Sequence, residues 1–148
     1  NDINSEVVNF FEVLRNNSAE LIELLQLTPV SREEYNICWN QSKDDSNIER
    51  ARKFYVRVRQ SFFGLGIQRK NKGWNMALKQ SGAQGGETVS KWKNALEKLP
   101  HVVDRLKLLQ IENRDWRVVI ESMDYTGAFF YCDPPYPHEC RTGKNDYK

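Results

Sequence analysis

The stretch GAFFYCDPPY, residues 127–136, limits what this chain can build. Two consecutive prolines offer no backbone N–H, fix their own φ and push the preceding residue towards an extended conformation. Whatever regular element starts near Ala128 therefore stops at Asp133. The apolar run over 128–132 reads as a buried central strand of a parallel sheet, apolar on both faces. Open α/β sheets bind ligands outside the carboxyl ends of their strands, and Asp133 sits at such an end. Beyond it, Pro134 and Pro135 present only carbonyl acceptors on stiff backbone, and Tyr136 adds a flat aromatic face. A carboxylate and a fixed carbonyl can both accept hydrogen bonds from one exocyclic NH2 group while a ring stacks on a planar base. That set suits an extruded nucleobase whose amino group is modified. The plainer alternative is a Pro-Pro turn after a strand, with an exposed tyrosine.

The rest of the chain reads as mostly helical. Val7, Phe10, Phe11 and Leu14 recur at helical spacing, and a second helix runs from Ser18 to just before Thr28-Pro29. The tetrapeptide SREE at 31–34 fits a capping box, Ser31 answering Glu34, and opens a third helix carrying Tyr35 and Trp39. A fourth carries Ile48, Ala51, Tyr55, Val58 and Phe62, with Arg50, Arg52, Lys53, Arg57 and Arg59 between them. Residues 64–87 are punctuated by glycine and read as loops. Val89, Trp92, Leu96 and Leu99 make another helix ended by Pro100. Val102, Leu106 and Leu109 lead towards a short strand, LQIEN at 109–113, and DWRVVIESM is a further helix. GLG at 64–66 lacks the flanking strand and helix of a phosphate loop and reads as a turn.

Charge is distributed unevenly. Residues 1–49 carry ten acidic and three basic side chains, residues 50–86 nine basic and none acidic, and residues 87–148 ten of each. The middle segment is a candidate polyanion-binding surface, the alternative being a solvated helix face. At 148 residues the chain is long enough for a core, and no apolar run approaches the roughly 18 residues of a membrane span. Cys38, Cys132 and Cys140 are odd in number and widely spaced, which suggests free thiols in a reducing compartment. Cys132, within the strand, is expected to be buried. Cys132, His138 and Cys140 lack the paired spacing of a metal site, so no metal is expected.

DPPY preceded by FFYC closely resembles the catalytic motif of S-adenosylmethionine-dependent DNA methyltransferases that act on the amino group of adenine. NDIN at 1–4 is similar to the acidic motif after the second strand of that fold. ENRDW at 112–116 resembles the strand-end loop that cradles the cofactor's adenine. ARKFYVRVRQSFFGLG resembles the start of the helical DNA-recognition insertion of the Dam-type subclass, and the order of elements fits that subclass.

The resemblance implies an α/β fold: an incomplete Rossmann-like class I methyltransferase sheet with a large helical insertion, predominantly helical here. Residues 1–49 and 100–148 would be the remnant of the catalytic domain and 50–99 the recognition insertion. Asp2 would bind the cofactor's ribose hydroxyls, and Asp115 and Trp116 its adenine. Asp133, with Pro134, Pro135 and Tyr136, would form the catalytic motif, Asp133 also bordering the cofactor. Arg57, Arg59, Arg69, Lys70, Lys72 and Trp74 would contact double-stranded DNA. The family's glycine-rich cofactor loop and lysine-bearing motif are absent upstream of Asp2. The chain is therefore expected to be a piece of a longer cytoplasmic enzyme, bacterial or phage-encoded, and inactive alone. A cognate restriction endonuclease would be a functional rather than physical partner. Two other functions stay open: a non-enzymatic helical DNA-binding module, and amino-group methylation of cytosine.

Overall fold

A computed structural model describes residues 1–62, 73–76 and 86–133. Seven helices occur among them: α1 (Ser5–Asn16), α2 (Ser18–Leu27), α3 (Arg32–Ile37), α4 (Asn47–Arg59), α5 (Glu87–Glu97), α6 (Leu99–Leu106) and α7 (Trp116–Met123). Local chemistry sets most of their starts. The side chains of Asn4, Ser31, Ser46 and Asp115 each accept a hydrogen bond from a backbone N–H in the first turn of the helix that follows. At α3 only half of the expected box forms, because the Glu34 carboxylate turns to Arg52 and Cys38. Pro100 does not end α5. It lies in the first turn of α6, where a missing N–H costs nothing.

One hydrophobic core gathers Phe10, Val13 and Leu14 of α1, Leu21 and Leu25 of α2, Ala51, Phe54, Tyr55 and Val56 of α4, Trp92 and Leu96 of α5, and Val103 and Leu106 of α6. Residues on either side of positions 49/50 and 99/100 contribute to it. α1 packs most extensively on α4, with the Phe10 ring stacked on Tyr55 at a centroid distance of 5.3 Å. Burying each of the large aliphatic side chains is worth about 1.5–3 kcal/mol. The chain leaves α4 through Gln60, fully buried, whose amide donates to the Pro29 carbonyl at 3.1 Å. Residues 60–62 and 73–75 then meet in an isolated antiparallel bridge, with Phe62 N donating to Gly73 O and Asn75 N to Gln60 O, each at 2.8 Å.

The sheet is the main departure from expectation: no strand forms among the described residues. LQIEN is not a strand. Leu108 and Leu109 close α6 by turns to Arg105 and Leu106, and only Ile111 packs on the core. Residues 128–132 are neither a strand nor buried, with Phe129 87% and Tyr131 85% exposed. Cys132 is likewise exposed. A strand satisfies its N–H and C=O groups through flanking strands, and none lies beside this run among the described residues. The run leaves a turn in which Ala128 N donates to Tyr125 O at 2.9 Å and Gly127 adopts φ 95°, a value that favours glycine.

Candidate functional site

Three cations of the acid-free segment pair with acids from outside it. Arg52 on α4 makes a bidentate pair with Glu49, both bonds 2.8 Å, and reaches Glu34 on α3. Lys53 donates to Asp45 at 2.7 Å and to the Asn40 carbonyl at 3.0 Å. Arg57 pairs with Glu6 on α1 and lies over the Trp39 ring, 5.3 Å from its centroid. These cations are buried or nearly so, and partner and hydrogen bond together offset the cost of burial. The Lys53 hydrogen bond holds the Asp45 carboxyl below its ordinary range. Burial dominates at Cys38, whose thiol is pushed up to about 12 despite the nearby Arg52.

The residues expected to contact DNA therefore divide. Arg57, 5% exposed, is committed to Glu6 inside the protein. Arg59 is exposed, its guanidinium 5.9 Å from the Tyr55 ring centroid. Trp74 is half-buried, with Arg32 4.9 Å over its ring and its indole N–H directed at Gln60 Oε1, 3.5 Å away. Arg69, Lys70 and Lys72 lie outside the described residues, in the segment whose ends meet at the Ser61–Trp74 bridge.

Two of the sequence elements expected to face a cofactor are brought side by side. Asp2 N donates to Glu112 O at 3.1 Å, and Asn113 Nδ2 to Asp2 O at 2.7 Å. The Asn1 side-chain amide bonds twice to the Arg114 backbone, donating to its carbonyl at 3.0 Å and accepting from its N–H at 3.1 Å. Asp2 is exposed; one carboxylate oxygen accepts from Asn4 N at 2.8 Å, which fixes its orientation. Oδ2 has no partner among the described residues. Ile3, beside it, is 76% exposed. Asp115 caps α7 by accepting from Arg117 N at 2.9 Å, and the exposed Trp116 ring carries the Arg117 guanidinium 4.5 Å from its centroid. Asn1, Ser5 and Asn113 were not singled out by sequence reasoning, since a junction 111 residues apart leaves no local pattern.

Asp133, the last described residue of its run, is exposed, and Pro134, Pro135 and Tyr136 lie outside the described residues. Among the described residues no cluster of three His, Cys, Asp or Glu side chains could hold a metal ion, and no helix is long and apolar enough to cross a membrane. No curated protein and no solved structure shows a significant match to the chain. The family model for the D12 class N6 adenine-specific DNA methyltransferase matches residues 1–147. With a match of that extent over a chain that ends its apolar run in Asp-Pro-Pro-Tyr, the protein belongs to the D12 class of N6 adenine-specific DNA methyltransferases.

Proposed function

We propose that the chain carries two parts of the methyl-transfer site, a cofactor-binding edge made by Asp2, Asp115 and Trp116 and a catalytic end made by Asp133, Pro134, Pro135 and Tyr136. The observation that supports this reading most is the junction of residues 1–5 with 112–114, which ties the Asp2 backbone to the loop leading to Asp115. A vicinal diol offers two O–H donors, and the Asp2 carboxylate keeps Oδ2 for them while Asn4 N holds Oδ1. Asp115 supplies an acceptor for an amino group, Trp116 an exposed ring for a planar base, and Ile3 an exposed apolar side chain next to Asp2. These donor and acceptor types fit S-adenosylmethionine, which when bound would supply an electrophilic methyl group.

The remaining residues act on the adenine. Asp133 and the Pro134 carbonyl accept hydrogen bonds from the N6 amino group of a base turned out of the duplex, and Tyr136 stacks on its face. Those acceptors draw the amino hydrogens away from the ring plane and free the nitrogen lone pair for attack. No covalent nucleophile on the protein is needed. Arg59, Arg69, Lys70 and Lys72 are assigned to phosphates and Trp74 to a base; a restriction–modification or phage setting suits such an enzyme. The test is single-turnover transfer of labelled methyl to duplex DNA by the protein expressed from its complete reading frame. Asp133→Ala should lower transfer by at least about 100-fold, the scale on which lost transition-state hydrogen bonds act, with label in the wild type confined to N6 of adenine. Near wild-type transfer by Asp133→Ala, or label on cytosine, would overturn the assignment.

A further inference from the structure

We propose that Asn113 is a positioning residue that sets the cofactor-binding edge, acting through Asp2 rather than by touching ligand. The inference rests on the assignment of Asp2 to the cofactor. Three observations carry it. First, both polar atoms of the Asn113 amide are spent between residues 2 and 5: Nδ2 donates to Asp2 O at 2.7 Å, and Oδ1 accepts from Ser5 Oγ at 3.3 Å. Second, the backbone on either side is fixed by other bonds, Asp2 N to Glu112 O and the two bonds between the Asn1 amide and Arg114. Asn113 thus stands in the middle of a ladder whose rungs come largely from side-chain amides, in a place where two strands would have used backbone alone. Third, the ladder ends one residue before Asp115, whose own carboxylate is held at the start of α7. The separation of the Asp2 and Asp115 carboxylates is consequently a property of this junction.

Asn113, Arg114 and Asp2 are exposed, so these bonds add little to global stability. Their effect is local. Without the amide, Asp2 keeps its bond from Asn4 N but loses the tie that fixes its backbone against residue 113. A diol-bearing ligand must then restore that order on binding, and affinity falls.

Calorimetric binding of S-adenosylhomocysteine to the protein expressed from its complete reading frame tests this, with Asp2→Asn, Asn113→Ala, Asn113→Asp and the double variant Asp2→Asn/Asn113→Ala. Asn113→Asp keeps the size of the side chain and the acceptor for Ser5 but turns an acceptor towards the Asp2 carbonyl. Both Asn113 variants should raise Kd by about five- to tenfold, the effect of roughly one hydrogen bond. Their kcat at saturating cofactor should stay at the wild-type value, and the melting temperature without ligand should move by no more than about 2 °C. In the double variant, the loss should be no greater than for Asp2→Asn alone, since Asn113 acts through Asp2. Should Asn113→Ala fail to fold, Asn113→Asp and Asn113→Ser decide the matter by the same readouts. Weakened binding by Asp2→Asn with wild-type affinity in the Asn113 variants would overturn the positioning role alone. Wild-type affinity in Asp2→Asn would overturn the cofactor-edge assignment and this inference with it. Additive losses in the double variant would show that Asn113 acts independently of Asp2 and would overturn the positioning role.

Discussion

Helices α4 and α7 are both amphipathic, yet they meet opposite fates. α4 buries Ala51, Lys53, Phe54, Tyr55, Val56 and Arg57, whereas α7 buries no residue at all. α4 packs against α1 and α2 and presents cations to acids from three other parts of the chain. α7 holds its N-cap but leaves Trp116 and Val118 exposed, and the run after it leaves Tyr125, Phe129 and Tyr131 in the same state. A helical apolar period therefore specifies the helix without specifying burial. Burial depends on a second face arriving from elsewhere in the chain.

That contrast can be broken first by truncation of a side chain in each region. Leu14 of α1 is fully buried in the core, so Leu14→Ala should destabilise the protein by about 2–5 kcal/mol in a denaturant titration. Val118→Ala, at a position 41% exposed, should change stability by no more than about 0.5 kcal/mol. Equal losses would mean that α7 is as firmly packed as α1.

A second test separates charge from packing inside the α4 region. Glu6→Gln leaves Arg57 buried without its anion and should cost about 2–3 kcal/mol, somewhat under the full penalty for a broken buried pair because Glu6 is 27% exposed. Glu87→Gln removes an ion pair whose side chains are 57% and 67% exposed, and should be nearly silent. A silent Glu6→Gln would show that water reaches Arg57 and that the α1–α4 contact is held by its aromatic rings alone.

The smallest effect is chemical rather than thermodynamic. Thiolate is the reactive form of cysteine, and burial pushes the Cys38 thiol up to about 12. Because that shift disfavours the thiolate, Cys38 in the folded protein should stay unmodified by iodoacetamide at pH 8, with reactivity rising only as pH approaches that value. Exposed Cys132 should be alkylated at pH 8. Peptide mapping after timed labelling reads both sites, and rapid labelling of Cys38 in native protein would show that the core opens readily.

Much of the helical content was legible in the sequence because its signals are local. Ser31 before Glu34, Asp115 before Trp116 and the spacing of Val7, Phe10, Phe11 and Leu14 each act within one or two turns. The family was legible too, since Asp-Pro-Pro-Tyr and the order of elements around it are carried by the chain itself. Reading GAFFYC as a buried strand failed for the opposite reason: a strand is defined by neighbours, and apolar composition alone does not supply them.

The acid-free run from Arg50 to Gly86 shows most clearly what only tertiary structure decides. Its composition suggests a surface for a polyanion, and nothing local says that Arg52, Lys53 and Arg57 turn inwards to Glu34, Asp45 and Glu6. Charge is additive along a sequence, but its availability depends on which opposite charges the fold brings within a few ångströms and removes from water with it. The same holds for Asp2 and the loop before Asp115, which no local pattern links. They are tied across 111 residues by Asn113 and the backbone of Glu112, through bonds that exist only after the chain has folded.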